Sequence, residues 1–281
     1  MTSKVLVIGL DGVGWEAVRD NGFEYLKQDS FGRVTSKGID LKTPPIWSSF
    51  LTGVKDTGIY DFPKDNSRMG AAGKHEETLY ERLENYDGEE ICDGGIGYRR
   101  DELNVDPWVE KYDYEAINFP IYNYTNDFKG IDDWQLYWGS KCLDGQINPK
   151  GFVKKLAEET QDILRKTKES AQKDNDITLS YIHDTDYICH IVYMHHGFKK
   201  PVLYFWRVVE NQVRQVVNSL DEEPLVVMLS DHGSSVGDVT ERTASGHSPY
   251  GFFSFNKNLD IPEELHITEF KDIIEDYLGG S

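Results

Sequence analysis

The sequence predicts an α/β protein built on a doubly wound, mostly parallel sheet flanked by helices. Three observations carry that expectation. Runs at 4–10 (KVLVIGL), 177–182 (ITLSYI) and 224–229 (PLVVML) are largely apolar and do not alternate cleanly with polar residues. Strands of that kind are covered on both faces, as in parallel sheets. The second and third runs each follow a long amphipathic helical stretch, 151–172 and 201–220, and strands alternating with helices point to a doubly wound sheet. The third observation is size. A chain of 281 residues with 38% hydrophobic content suffices for one large domain with a sizeable insertion, and 1–281 is read as a single domain.

Along the chain, the first strand runs into Asp11-Gly12 and then a helical pattern from Trp15. The segment LKTPPIWSSFLTG (41–53) places one threonine before two prolines. Proline fixes φ and removes a backbone donor, and the residue before it is pushed out of the helical region. Thr43 is therefore expected to be extended, just ahead of a segment able to start a helix. A hydroxyl there suits a nucleophile, and it suits an ordinary helix cap equally well. Residues 63–150 read differently, being rich in Tyr, Trp, Asp, Asn and Gly. A helix near HEETLYERLENY (75–86) and a strand near EEICDG (89–94) stand out there. The rest is expected to be an irregular, cap-like insertion lying over the sheet. After the third apolar run, ASGHSPYGFF (244–253) leads into the strand GFFSF, and TEFKDIIEDYL (268–278) closes as a helix.

The formal net charge is −19, which disfavours binding to duplex nucleic acid. An anionic substrate would need something locally positive, and bound cations would serve. Cys92, Cys142 and Cys189 are odd in number and unpaired in spacing, which fits a reducing compartment better than a disulfide framework. No run is long enough to span a bilayer, and the N-terminus lacks the features of a signal peptide. A cytoplasmic protein without a membrane partner is expected.

Ligands of doubly wound folds bind beyond the carboxyl ends of the strands. Three apolar strands here end in acidic or histidine residues: Asp11, then Asp184 and Asp186, then Asp231 and His232. One Asp at a strand end is commonly a cap or a turn residue, but three coinciding ends gather carboxylates that repel unless protons or metals neutralise them. Asp186 and His190 are four apart, so a helix beginning there would put both on one face. His247 sits in a Gly/Ser/Pro loop at the mouth of a strand. His183 lies close enough to be a supporting residue, while His75, His195, His196 and His266 have no such setting. Three carboxylates and three imidazoles suit Zn²⁺, with Mn²⁺ or Fe as alternatives, rather than Ca²⁺. Six such ligands make a two-metal site.

The ordered series LDG, TPPIWSSFLTG, TDYICH, SDHG and GHSPYGFF resembles the alkaline phosphatase superfamily, and within it the type I phosphodiesterase/nucleotide pyrophosphatase family. The resemblance covers roughly 4–62 and 177–255. It implies an alkaline phosphatase-like fold, with Thr43 as nucleophile and as a ligand of one ion together with Asp11, Asp231 and His232. It implies that Asp186, His190 and His247 hold the other ion. The chain departs from the family pattern after the TG of residues 52–53. Thr57 stands where a histidine is usual, and Asp61 and Phe62 lie where an asparagine is expected to meet a phosphate oxygen. Sulfatase relatives use a modified cysteine, and no cysteine lies near Thr43.

The resulting expectation is a metal-dependent hydrolase acting on a small phosphate ester or nucleotide through a phospho-threonine, with phosphodiesters or pyrophosphate-linked nucleotides as substrates. A phosphomonoesterase or mutase, and a non-catalytic metal-stabilised binding protein, are the alternatives. A diester's second organic group needs a resting surface. Trp108, Tyr112, Tyr114, Phe119, Tyr122, Tyr124, Trp134 and Trp138 are the candidate rings, though most of them equally suit a small core of the insertion.

Overall fold

The computed structural model of the chain describes residues 4–59, 100, 103–120, 133–194, 197–234, 236 and 247–279. A seven-stranded sheet holds β1 (Val5–Leu10), β2 (Ser30–Thr35), β3 (Tyr114–Ile117), β4 (Ile177–Ile182), β5 (Leu225–Leu229), β8 (Tyr250–Phe255) and β9 (Glu264–His266). Their order across the sheet is β3-β4-β1-β5-β8-β2-β9. β1 pairs parallel to both β4 and β5, in register Gly9↔Tyr181 and Gly9↔Leu229. β3 extends the parallel set, and β8 runs antiparallel to β5 and to β2. The carboxyl ends of β1, β4 and β5 therefore share one edge. The start of β8 reaches the same edge because that strand runs the other way.

The unalternating composition of β1 follows from its two covered faces. Leu6, Ile8 and Leu10 pack with Phe152, Leu156, Phe205 and Val209 on one side. Those partners come from the helices α5 (Pro149–Ala171) and α7 (Lys199–Val217). Val5 and Val7 pack on the other side with Trp47, Phe50, Phe270 and Ile274, which belong to α3 (Thr43–Thr52) and α8 (Phe270–Gly279). Each such side chain is worth about 1.5–3 kcal/mol when fully buried, so a one-residue slip in β1 would exchange its two packed faces at once. Helix α5 begins where Asn148 caps it, accepting from Gly151 N, with Pro149 in its first turn.

Two sequence expectations are changed. Within the 63–150 stretch, part of the described segment 103–120 joins the main sheet and core. Tyr114–Ile117 forms the edge strand β3, and Trp108 and Phe119 are buried in the main core. Trp108 Nε1 donates to Phe50 O at 2.8 Å. A four-residue edge strand with a Glu in it carries too little pattern to be read in advance. The helix expected from Trp15 is present as α1 (Trp15–Asp20), whereas β2, β9 and the short helix α2 (Glu24–Lys27) were not anticipated. The helix expected at 75–86 and the strand at 89–94 lie outside the described residues.

Candidate active site

Each of the three central strands delivers its acidic residue as it leaves the sheet. Asp11 follows β1, and its N–H donates to Ile182 O at 3.0 Å, so it rides directly on the end of β4. Beyond β4 a short helix, α6 (Asp184–Ile188), passes into a π-helical turn, Cys189–Met194. Such bulges often re-aim side chains at functional sites. Here Asp186 and His190 meet across one turn, Oδ2 to Nε2 at 2.9 Å. Asp231 and His232 follow β5, and both are fully buried. A two-stranded ribbon, β6 (Gly233–Ser234) with β7 (His247–Ser248), pairs Ser234 with His247. The ribbon stacks the His247 ring on His232 with centroids 4.1 Å apart.

The six expected ligands thus fall into two triads, Asp11/Asp231/His232 and Asp186/His190/His247. Within each, the ligand atoms all lie within 4.8 Å of one another. Side chains that carry no charge lash the strand ends together. Thr185 Oγ1 donates to Asp11 O at 2.6 Å. Ser230 Oγ accepts from Val13 N at 3.0 Å and donates to His232 O at 2.6 Å. Sequence reasoning missed Thr185, Ser230 and Tyr181. Their only signal was position, one to five residues from a ligand.

Gly12 is required for the two triads to approach. Its φ is +67°, and a Cβ there would stand 2.3 Å from Asp186 Oδ1. Gly12→Ala should therefore both strain the turn, by about 1–2 kcal/mol, and push Asp186 out of place. The expected outcome is a Tm lowered by roughly 5 °C and a reduced uptake of divalent cation, read by elemental analysis. A variant with wild-type metal content would contradict this role.

Thr43 differs from expectation in one respect. The extended residue is Lys42, the helix N-cap (φ −137°, ψ 147°), and Thr43 is the first residue of α3. Pro44 and Pro45 carry a φ already suited to a first helical turn and lack donors that the turn could not satisfy, which outweighs the preference of a pre-proline residue. Thr43 is therefore not the cap. Its hydroxyl instead lies 3.5 Å from Asp11 Oδ2, joining α3 to the first triad.

The donor set fits divalent cations. Asp11 Oδ1, Asp186 Oδ1, Asp231 Oδ2 and His232 Nε2 are buried and meet no hydrogen-bond partner among the described residues. His232 Nε2 stands 3.4 Å from Asp11 Oδ1 and 3.6 Å from Asp231 Oδ2. His190 Nε2 faces His247 Nε2 at 3.3 Å. Buried polar atoms left in that state cost about 1–3 kcal/mol each, more when charged, and converging N and O lone pairs are what a cation requires.

In the metal-free protein the titrations reflect this crowding. Burial, and then the charges of Asp231 and Asp186, hold the Asp11 carboxyl well above its usual range. Burial also pushes Asp186 upward, but the adjacent His190 charge and hydrogen bond outweigh it and leave Asp186 below the usual range. For His190, burial is outweighed in turn by Asp186, and its pKa is raised. Burial and the neighbouring His232 push His247 down to about 4.

A mixed, mostly parallel sheet with helices on both faces is the alkaline phosphatase-like fold, and here carboxylates and imidazoles gather at its carboxyl edge. A sulfatase-like protein from Bacteroides thetaiotaomicron shares that fold (TM-score 0.51, 12% identity, 99% of this chain and 71% of that one), as does a 2-O GAG sulfatase (TM-score 0.50, 11% identity, 99% and 71%). Residues 5–245 match the type I phosphodiesterase/nucleotide pyrophosphatase family, and the chain belongs to that family of phosphoester hydrolases. Murine ectonucleotide pyrophosphatase/phosphodiesterase 5 aligns at 17% identity over 82% of this chain and 57% of its own, with a TM-score of 0.44. No curated protein matches the chain. No helix among the described residues is long and apolar enough to cross a membrane.

Proposed function

We propose that the chain is a phosphodiesterase or nucleotide pyrophosphatase that works through a covalent phospho-threonine at Thr43, with two divalent cations, Zn²⁺ in the first instance. Asp11, Asp231 and His232, with the Thr43 oxygen, would hold one ion, and Asp186, His190 and His247 the other. The observation that carries this reading is the Thr43 hydroxyl, 3.5 Å from an oxygen of Asp11 and so beside one complete triad. When bound, such ions lower the pKa of a coordinated hydroxyl and offset charge on the transferring phosphoryl group.

The residues themselves supply orientation. Thr43 stands at the N-terminus of α3, where backbone N–H groups and the helix dipole favour an anionic oxygen and a phosphate. Its oxygen attacks phosphorus, the bond to the leaving alcohol or phosphate breaks, and the substrate's remaining half stays on Thr43. Water then cleaves the Thr43–phosphorus bond, returning the hydroxyl and releasing the phosphorylated half. Trp47, four residues on, is buried against Phe50, Phe119 and Tyr181, and that packing fixes the first turn of α3.

Selectivity for diesters follows from charge. A monoester dianion commonly calls for a bidentate arginine. Arg33, the nearest arginine in sequence, pairs with Glu264 and lies over Tyr250 at 4.7 Å, while Arg68 lies outside the described residues. The resting surface for a second organic group is narrower than the sequence suggested. Trp108 and Phe119 are committed to the core, and Tyr112 and Tyr114 pack against it. Trp138 is partly buried against the opposite core. Tyr122, Tyr124 and the Trp134 side chain lie outside the described residues. The test is the ratio of kcat/KM for bis-p-nitrophenyl phosphate to that for p-nitrophenyl phosphate under one metal. A ratio above one is expected, and a ratio well below one across several metals would establish a monoesterase instead.

A further inference from the structure

We propose that Tyr181 is a positioning residue that fixes how Asp11 presents its carboxylate. The proposal rests on the reading of Asp11 as a cation ligand. Tyr181 lies on β4, is 1% exposed, and donates its hydroxyl to Asp11 Oδ2 in a short hydrogen bond. The other oxygen, Oδ1, meets no hydrogen-bond donor among the described residues and faces His232 at 3.4 Å. The phenol thus occupies one carboxylate oxygen, sets rotation about the Cβ–Cγ bond, and leaves Oδ1 turned toward the Asp231/His232 pair. The same Oδ2 is the atom nearest the Thr43 hydroxyl, so one hydrogen bond aligns both the ligand and the reacting residue.

The sequence makes room for this contact. A Cβ on Gly9, opposite Tyr181 across the β1–β4 ladder, would stand 2.5 Å from the Trp47 ring and 3.2 Å from the Tyr181 ring. Without it, Trp47 packs edge-on against Tyr181 at 5.4 Å between centroids and Phe119 closes the other side at 6.4 Å. The ring packs on Trp47 and Phe119 while the hydroxyl meets Asp11, so hydroxyl and packing can be separated by mutation.

Partners that orient a metal ligand typically contribute 10–100-fold to metal affinity. Titration of chelator-stripped protein with Zn²⁺ should show two bound ions in the wild type. In Tyr181→Phe, which keeps the ring, the affinity of one ion should fall by about 10–100-fold while the other is unchanged. Ile274→Ala, which loosens the same core from α8 and leaves the hydroxyl, should lower Tm and leave both affinities within about twofold. Site-specific 3-fluorotyrosine at position 181 retains the hydroxyl and the fold, and its ¹⁹F resonance should move as the Asp11 ion binds. The proposal is overturned if Tyr181→Phe keeps both affinities, if Ile274→Ala weakens one as much, or if the fluorine signal ignores metal. A wild-type protein that binds no ion would instead overturn the underlying site assignment.

Discussion

Thr43→Ala is expected to abolish turnover, by about 10⁴-fold or more, while metal content and folding stay close to wild type. The reason is local. Removing the hydroxyl deletes the attacking oxygen but leaves Asp11, Asp231 and His232, whose buried side chains make the first triad. The helix should survive as well, because Lys42 is its N-cap and Pro44 and Pro45 set its first turn. Thr43→Ser keeps the hydroxyl and should retain measurable activity, at a cost set by the lost methyl and its stiff χ1. The measurement is kcat/KM on a diester beside elemental analysis of the same preparation. An alanine variant with near wild-type activity and a full metal load would remove Thr43 from the reaction.

Chelation should be the second large effect, removing activity and lowering Tm together. An ion present at about a thousandfold excess over its Kd stabilises the fold by about 4 kcal/mol, and each kcal/mol shifts Tm by about 2–4 °C in a domain of this size. Loss of even one ion should therefore lower Tm by about 10 °C. Asp11→Asn and Asp186→Asn should each remove one ion and leave the other, since each residue serves a different triad. The gap in Tm between loaded and stripped protein should also widen from mildly acidic to mildly alkaline pH. Asp11 and His190 both hold raised pKa values in the stripped fold, so each must give up a proton when a cation binds. Lowering the pH through those values lets protons compete and weakens binding. For Asp11 the same proton can be followed through the stability of the stripped fold. The stripped fold retains a proton that the unfolded chain has already lost, so its stability declines as pH rises from the ordinary carboxylate range up to Asp11's own pKa. A Tm gap that is flat with pH would show that these groups do not bind the ion.

The gathering of the candidate residues was legible in the sequence because β1, β4 and β5 are buried on both faces, and chemistry-bearing residues can follow such apolar runs only at their ends. Asp11, Asp186, Asp231 and His232 needed no more than that. His247 was less secure on sequence alone, since its place depends on the ribbon pairing Gly233–Ser234 with His247–Ser248, a contact between two-residue strands that carry no periodicity. The helix after β4 was expected, but its passage into a π-helical turn at Cys189 was not, because a single extra residue per turn leaves no compositional mark. Strand β2 escaped notice for a different reason. SFGRVT alternates buried and half-exposed positions around Gly32, where a Cβ would stand 2.2 Å from Glu263 O, so the residue that permits the strand pairing reads in sequence as a strand breaker. Tyr181 was hidden inside an apolar strand, where a tyrosine looks like packing until its hydroxyl is traced to Asp11.

The central claim is that Thr43 carries the substrate's phosphoryl half between two chemical steps. It is tested most directly by acid-quenching the metal-loaded enzyme during turnover of bis-p-nitrophenyl phosphate and mapping its peptides by mass spectrometry. The account predicts a p-nitrophenyl phosphoryl group on Thr43, absent from the chelated enzyme and from Thr43→Ala. An active enzyme that accumulates no adduct and hydrolyses a chiral diester with inversion at phosphorus, or one that carries the group on another residue, would contradict it.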